Sequence, residues 1–334
     1  MMFKRTRILL LLMSVMLLLS CNNSTTKNLE KRNDSSKVNT AKSEVIKVEF
    51  QIKEMPMGSN EVVEDKEYLK QKNKQHTKKY YSYMPSDEST KGDFTYLDVT
   101  GQKHIMYINK DINANLYKWN TNENVLTRNS PVGHKMSYGI DISKHNGDID
   151  FNKVKNAGFE FVIIRVVYRG YGKKGKLVVD EKVQDNLVKA KNAGLKIGAY
   201  VFSQAINEKE AIEEAKLAID LLKDTELDLP IFFDPETIRS DIARTDDING
   251  EQFTKNAIAF MDEIKKANFE TGFYSNMVWE DYYLDMSRLK DYTVWYADYS
   301  ELPQTPYDFK FWQFSESGIV DGVDGSVDLN VWIK

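Results

Sequence analysis

Two carboxylates lie two residues apart at the end of a hydrophobic run, residues 230–236 (PIFFDPE). Alternate residues of a strand share a face, so Asp234 and Glu236 can project together from its carboxyl end. Two acids held beside an apolar floor cannot both ionise freely, so the pKa of one of them should rise. A carboxyl that stays protonated near neutral pH can act as a general acid, and the pair therefore predicts acid–base chemistry.

Two other predicted strands carry acids on the face opposite their aliphatic residues. In YGIDIS (138–143) Asp141 lies opposite the two isoleucines, and in VDLNV (327–331) Asp328 shares a face with Asn330. Each signal alone is weak, because a single aspartate at a strand end is more often a cap than a catalyst. Together they predict one convergent group of acids, formed by Asp141, Asp234, Glu236 and Asp328.

Aromatic residues lie on the predicted strands around these acids: Tyr200, Tyr274, Trp295 and Trp312. Aromatic faces beside carboxylates are typical of a sugar-binding cleft, although packing in the core explains any one of them about as well. His145 is the one histidine after residue 136, so the usual zinc-ligand spacings are absent, and we expect neither a metal nor a cofactor. Four clustered acids leave Ca²⁺ or Mg²⁺ binding as an alternative.

From residue 137 onward, hydrophobic strands alternate with amphipathic helices. Strands are predicted at residues 138–142, 161–167, 196–202, 229–233 and 271–274. Between them, apolar residues recur at helical spacing, for example Ala211, Ala215, Ala218 and Leu222. This alternation predicts βα units.

A repeated motif and the last strands complete the architecture. KNAG at 155–158 and 191–194, and KKAN at 265–268, place Gly or Asn where a left-handed residue ends a helix. Three further strands, at 293–297, 310–314 and 327–329, are joined by Pro-rich and Gly-rich linkers without room for a crossover helix. We therefore predict an α/β fold for residues 137–334, a short TIM-like barrel of five βα units followed by three strands.

These motifs, in this order, resemble the glycoside hydrolase family 25 lysozymes. The matching segments are GIDIS at 139–143, HNG at 145–147, GAY at 198–200, FDPE at 233–236, FYS at 273–275, WYA at 295–297, WQF at 312–314 and DLN at 328–330. The resemblance implies a short β/α barrel that cleaves the β-1,4 bond between N-acetylmuramic acid and N-acetylglucosamine in peptidoglycan. One departure is RVVYRG at 165–170, where many relatives have an acidic residue.

The resemblance also implies roles for individual residues. By position, Glu236 corresponds to the proton donor, and Asp141, Asp234 and Asp328 to supporting catalytic acids. The residues expected to bind substrate are Tyr200, Tyr274, Trp295, Trp312, Gln313 and Asn330. Glycosidases use either two carboxyls or the N-acetyl group of the substrate. We favour N-acetyl assistance oriented by Asp234, because a D-x-E pair can hold the acetamido group and protonate the bond together.

Two other functions fit the same residues. A hydrolase of another N-acetylglucosamine polymer, such as chitin, would use the same pair of acids. A cell-wall glycan-binding protein without turnover is also compatible, since a fold does not fix a function. The intact pair of Asp234 and Glu236 argues against the second of these.

Composition and the N-terminal residues limit the class of protein and its possible location in the cell. The chain has 334 residues, 41% hydrophobic and 29% charged, with a formal net charge of −4. These values argue against a disordered chain, a multi-span membrane protein and a nucleic-acid binder. Residues 1–20 predict a signal peptide, in which three basic residues precede an apolar run too short to span a bilayer. Cys21 follows it as in the lipobox of bacterial lipoproteins, which predicts lipidation at Cys21, although an ordinary cleaved signal is the alternative.

Two segments follow before the barrel. Residues 21–44 are predicted to be a disordered tether, because they contain almost no apolar side chains. Residues 45–132 are predicted to form a small β-rich module that begins with an alternating strand at 46–52. We therefore expect an extracytoplasmic, membrane-anchored lipoprotein that acts as a monomer on peptidoglycan glycan strands and binds no nucleic acid.

Overall fold

A computed structural model of the chain describes residues 91–97, 103–109, 119–120, 130–238 and 242–334. Before the barrel it contains two short antiparallel pairs. Strand β1 (Lys91–Leu97) pairs with β2 (Lys103–Asn109), and β3 (Trp119–Asn120) pairs with β4 (Ser130–Pro131).

Several N-terminal predictions lie outside the described residues. They are the signal peptide at 1–20, lipidation at Cys21, the tether at 21–44 and the strand at 46–52, and a module over 45–132 likewise stays a prediction. No helix among the described residues is long and apolar enough to cross a membrane.

Residues after Met136 form a closed eight-stranded barrel, which confirms the predicted α/β class. The barrel strands follow one another around the ring, and the last strand pairs back to the first. They are β5 (Met136–Ile142), β6 (Phe161–Arg169), β8 (Lys196–Ser203), β9 (Ile231–Pro235), β10 (Thr271–Asn276), β11 (Thr293–Ala297), β12 (Phe311–Gly318) and β13 (Val327–Ile333). An unpredicted three-residue strand, β7 (Leu177–Val179), pairs antiparallel with β6 outside the ring.

Helices cover the outside of the barrel on the side of its first five strands. They are α1 (Phe151–Asn156), α2 (Val183–Asn192), α3 (Glu208–Leu222), α4 (Gly250–Lys266), α5 (Met277–Tyr282) and α6 (Met286–Leu289). The helical periodicity is confirmed, because Ala211, Ala215, Ala218 and Leu222 are all buried on one face of α3.

The predicted left-handed helix ends are also confirmed. Gly158 and Gly194 have φ angles of 96° and 75° after α1 and α2, and Asn268 has a φ of 63° after α4. Asn268 is the one non-glycine residue with positive φ among those described. Asparagine tolerates this conformation better than other side chains, which explains the KKAN variant of the motif.

The last three barrel strands are joined without a long helix. Strands β11 and β12 are parallel, although the connection between them, residues 298–310, is a loop that buries Tyr307 and Phe309. Strand β13 runs antiparallel to both β12 and β5 and thereby closes the ring. Closure therefore depends on the final seven-residue strand rather than on another βα unit.

Two hydrophobic cores lie on the two sides of the sheet. The inner core fills the barrel and is largely aromatic, with Phe161, Tyr200, Phe232, Tyr274, Trp295 and Phe311 among its members. The outer core lies between the sheet and the helices. Every barrel strand contributes to the outer core, and all except β5 also pack residues into or against the inner core. Because side chains alternate along each strand, the inward polar residues lie around the inner core.

Candidate active site

Strands β5 and β13 hold Asp141 and Asp328 directly opposite each other, as register partners in the antiparallel pair. The two carboxyls share a hydrogen bond. One oxygen of Asp141, Oδ2, also accepts hydrogen bonds from Gln313 Nε2 and Asn330 Nδ2, both at 2.8 Å. The sequence expectation that Asp328 and Asn330 face the same way as Asp141 is therefore confirmed.

Burial shifts the protonation of this pair. It raises the pKa of Asp141 to about 6, even though the amides of Asn330 and Gln313 favour the charged form. Burial, and then the charge of Asp141, raise the pKa of Asp328 to about 9. Like charges this close cannot both form easily, so near neutral pH the two carboxyls hold a proton between them.

Asp234 lies inside strand β9, since the strand runs two residues further than predicted and ends at Pro235. Asp234 is buried, and its Oδ1 has no hydrogen-bond partner among the described residues. Burial, followed by the charges of Glu236 and Asp141, raises the pKa of Asp234 well above its usual range. The rise expected for one member of the D-x-E pair thus falls on Asp234. We call Asp141, Asp234 and Asp328 the acid cluster.

Glu236 follows β9 directly and is half-buried at the carboxyl edge of the barrel. Its charge contributes to the raised pKa of Asp234, Asp328 and Tyr200, which indicates that its carboxyl lies beside the acid cluster. The structure therefore brings together the four acids that the sequence singled out. The group combines two buried carboxyls, Asp141 and Asp234, with two half-buried ones, Asp328 and Glu236.

Three of the expected aromatic residues lie in the inner core next to these acids. Tyr200 and Tyr274 pack edge-on against Trp295, with ring centroids 5.8 and 5.2 Å apart. Trp295 donates its indole N–H to Asn330 Oδ1 at 2.8 Å, and the Tyr274 hydroxyl lies 3.4 Å from Gln313 Oε1. The aromatic residues thus form the floor beneath the acids and help to orient the two amides that hold Asp141.

Trp312 does not join this group, contrary to the sequence expectation that it binds substrate. It lies in the outer core, where it packs on Phe314 and donates its indole N–H to the Asp298 carbonyl at 2.7 Å. Its neighbours Phe311 and Gln313 both face inward. Strand alternation therefore directs Trp312 outward, away from the acid cluster.

Two residues near the acids were not among the predicted site residues. The hydroxyl of Tyr299 donates to Gln313 Oε1 at 3.0 Å, and its side chain is 45% exposed at the mouth of the barrel. Arg165, at the departure from the family pattern, is buried and pairs with Asp180 at 2.8 Å, and its charge partly offsets the raised pKa of Asp234. Tyr299 lies in the irregular β11–β12 loop, which has no periodicity to reveal its direction.

Among the residues that the structure describes, no group of three or more His, Cys, Asp or Glu side chains is arranged to hold a metal ion.

Comparisons with known proteins agree with the family resemblance found in the sequence. An autolytic lysozyme from Clostridium acetobutylicum is 31% identical over 196 residues, which are 58% of this chain and 54% of the relative. The modular autolysin LytC from Streptococcus pneumoniae, solved with a synthetic peptidoglycan ligand, has a TM-score of 0.53 at 24% identity over 72% of this chain and 56% of that chain.

A family 25 glycosyl hydrolase from Bacillus anthracis has a TM-score of 0.50 at 19% identity, over 64% of this chain and 94% of that chain. At these identities the two structures support the fold alone. The chain spans about half the length of the first relatives it matches. The model of glycosyl hydrolases family 25 matches residues 140–323, more than half of the chain, and the protein therefore belongs to that family.

Proposed function

We propose that this protein is a peptidoglycan hydrolase, an N-acetylmuramidase that cleaves the β-1,4 bond between N-acetylmuramic acid and N-acetylglucosamine. Family membership and the relative described as an autolytic lysozyme support this activity. The observation that carries the proposal is the position of Glu236, a half-buried carboxyl at the barrel mouth beside the buried acids Asp141 and Asp234. A general acid needs that combination of access to the bond and a neighbouring negative field.

In the proposed reaction Glu236 donates its proton to the glycosidic oxygen as the bond to C1 breaks. The carbonyl oxygen of the substrate N-acetyl group attacks C1, and the deprotonated Glu236 then activates the water that opens the resulting ring. The protein supplies no nucleophile in this scheme. It has to orient the acetamido group and stabilise the positive charge that develops on the sugar.

Asp234 is suited to the first of these tasks. Its Oδ1 is buried without a hydrogen-bond partner among the described residues, a costly state that a donor from the substrate would relieve. An acetamido N–H is such a donor, and its hydrogen bond would favour the ionised form of Asp234. The carboxylate would then face the positive charge as it forms.

Asp141 and Asp328 are suited to the second task. Gln313 and Asn330 fix Asp141 by two hydrogen bonds, so its carboxyl does not have to reorganise during the reaction. Their partial ionisation keeps negative charge beneath the cleft. Tyr299, exposed beside them, offers an aromatic face on which a sugar ring could stack.

The finer architecture and cellular setting belong to the same proposal. Helices follow only the first five ring strands, which supports a short TIM-like barrel of five βα units followed by three strands. The signal peptide at 1–20 and lipidation at Cys21 would place the enzyme outside the cytoplasm on a tether from its membrane, as a monomer that acts on peptidoglycan strands.

Digestion of purified peptidoglycan, followed by analysis of the new reducing ends, tests the activity. We expect wild type to release N-acetylmuramic acid reducing ends and Glu236→Gln to lose about 10²- to 10⁴-fold in kcat. Glu316→Gln is the matched control, because Glu316 is exposed near Asp328 but has no role in the proposed reaction.

Four results would contradict the proposal or part of it. Wild type that releases no reducing ends from peptidoglycan, or Glu236→Gln that releases as many as wild type, would refute the muramidase claim. Release from chitin but not from peptidoglycan would favour a hydrolase of another N-acetylglucosamine polymer. An inverted anomer in the first product would refute N-acetyl assistance.

A further inference from the structure

The chain leaves the sheet immediately before Glu236. In the parallel pair of β8 and β9, Phe202 is the register partner of Asp234 and Ser203 is that of Pro235, and the pairing stops there. Pro235 has no N–H to donate to the ladder. On the other strand, Ala205 donates its N–H to the side chain of Ser203 rather than across the sheet. The backbone of Glu236 therefore has to be fixed by other means.

At the next register position a hydrogen bond from a side chain replaces the backbone hydrogen bonds of the sheet. Gln204 donates its Nε2–H to the backbone carbonyl of Glu236 at 2.6 Å. That carbonyl can only accept, so the NH₂ group of Gln204 has to face it, and Oε1 has to face the other way. There Oε1 accepts the hydroxyl of Thr245 at 3.0 Å. One buried amide thus holds both ends of the segment from Glu236 to Thr245.

The surroundings of Gln204 make this contact rigid. Gln204 is fully buried, and Thr245 is 5% exposed. The backbone carbonyl of Gln204 accepts a hydrogen bond from Arg244 at 3.1 Å, and Arg244 in turn forms a two-pronged ion pair with Glu210 at 2.7 and 2.8 Å. The donor that meets Glu236 therefore has little freedom to move.

We infer that Gln204 is a positioning residue for the general acid, an inference that rests on the proposed function. By fixing the backbone of Glu236 one residue beyond the last paired position of β9, Gln204 sets how far the carboxyl reaches over the acid cluster. A misplacement of about 1 Å at a reacting group costs on the order of 10²-fold in rate. The effect should lie in kcat, because Gln204 is buried and does not meet substrate.

Two substitutions separate the two hydrogen bonds of this amide. Gln204→Met keeps the approximate volume but removes the contact to Glu236, whereas Thr245→Val removes only the contact at the other end of the segment. We expect kcat to fall about 10- to 100-fold in Gln204→Met, with KM within about twofold of wild type. Thr245→Val should keep kcat within about threefold of wild type. Equal losses in the two variants, or a loss confined to KM, would overturn the inference.

The conservative variant Gln204→Glu adds a second measurement, the pH dependence of activity, which a purely structural role of Gln204 would leave unchanged. In Gln204→Glu, a protonated carboxyl can still donate to the Glu236 carbonyl, but an ionised one cannot. The activity of Gln204→Glu relative to wild type should therefore recover as the pH is lowered, while that of Gln204→Met should not. A constant ratio of Gln204→Glu to wild type across the pH range would count against the inference.

Crystal structures of the full chain carrying either substitution test the same point without turnover. The Cα of Glu236 should move by about 1 Å in Gln204→Met and stay in place in Thr245→Val. This result decides the positioning role even if wild type releases no reducing ends from peptidoglycan, which would refute only the proposed function. A Glu236 backbone that is unmoved in Gln204→Met would overturn the inference.

Discussion

Two groups of buried and half-buried ionisable residues lie at the carboxyl edge of the barrel, and they are stabilised differently. In what we call the arginine network (Arg169, Glu210, Glu214 and Arg244), each carboxylate meets a guanidinium. Arg169 Nε lies 2.6 Å from Glu214 Oε1, and Ser203 donates to the other oxygen of Glu214 at 2.6 Å. In the acid cluster the hydrogen-bond donors to Asp141 are uncharged, namely two amides and the Asp328 carboxyl, and Asp234 has an oxygen without a partner among the described residues.

The difference indicates what each group is for. The arginine network joins the β6–β7 loop, α3 and the segment after β9, because Arg169 and Arg244 contact backbone carbonyls in addition to carboxylates. The acid cluster has no such ion pair, since the nearby Arg165 pairs with Asp180 and only partly offsets the raised pKa of Asp234. Buried carboxyls without an ion pair destabilise a fold, so the acid cluster is better explained by chemistry than by stability.

The largest effect on stability should come from breaking the arginine network. Arg169→Met leaves Glu214 buried beside Ser203 without its main cation, and removing one partner of a buried pair costs about 3 to 5 kcal/mol. Chemical denaturation at pH 8 measures this loss. The kcat of the folded fraction should fall far less than in Gln204→Met, because Arg169 reaches Gln204 only indirectly, through Glu210 and Arg244.

The double variant Arg169→Met with Glu214→Leu is the control for Arg169→Met. With no charge left to bury, the double variant should recover most of the lost free energy of unfolding. If Arg169→Met alone were as stable as wild type at pH 8, the arginine network would have no structural role and the contrast with the acid cluster would fail.

The acid cluster should respond in the opposite way to loss of a charge. Asp234→Asn should leave the folded state as stable as wild type or more so, because it removes a buried group crowded by other acids. Its kcat on peptidoglycan should fall about 10²- to 10³-fold, the usual cost of one preorganised electrostatic contact. Reducing-end assays combined with thermal unfolding test both halves of this prediction.

Substrate chemistry provides the control for Asp234→Asn. On peptidoglycan from which the N-acetyl groups have been removed, wild type should slow to a rate near that of Asp234→Asn, and the substitution should then add little. A variant that loses stability as well as activity would instead show that Asp234 is structural.

Much of this site could be predicted from strand alternation. The rule that residues two apart share a face correctly placed Asp141 and Asp328 on the inner side of the barrel. The same rule shows why the prediction for Trp312 was wrong. Trp312 and Gln313 are adjacent in a strand and therefore face opposite sides, and Gln313 is the one that contacts Asp141. The prediction had listed the aromatic residues without assigning each of them to a face of its strand.

Other features depend on closure and irregular backbone. The pairing of Asp141 with Asp328 joins residues far apart in sequence through the register of β13 on β5. Gln204 acts where a strand leaves the sheet, and Tyr299 projects from a loop without periodicity. Such positions follow from tertiary geometry, because no local pattern determines which distant group a loop side chain meets.

The smallest effect, and the one that compares the two groups most directly, is the pH dependence of stability. Folded protein keeps a proton on Asp328, whose pKa burial raises to about 9, while the unfolded chain releases it above about pH 4. The folded state thus binds more protons in this window, so the free energy of unfolding falls as pH rises from about 4 to about 9. Asp328→Asn removes the contribution of Asp328 to this slope, and its amide can still donate to Asp141.

At pH 8 we therefore expect Asp328→Asn to raise Tm by about 2 to 4 °C, equivalent to about 1 kcal/mol for a domain of this size. Glu214→Gln should lower Tm at the same pH. Burial raises the pKa of Glu214 only to about 7, so this carboxyl is ionised at pH 8 and the substitution removes the nearest charge partner of Arg169. Asp324→Asn, at an exposed position, is the matched control and should leave Tm unchanged. If Asp328→Asn and Glu214→Gln shifted Tm in the same direction, the two groups of charges would not differ as proposed.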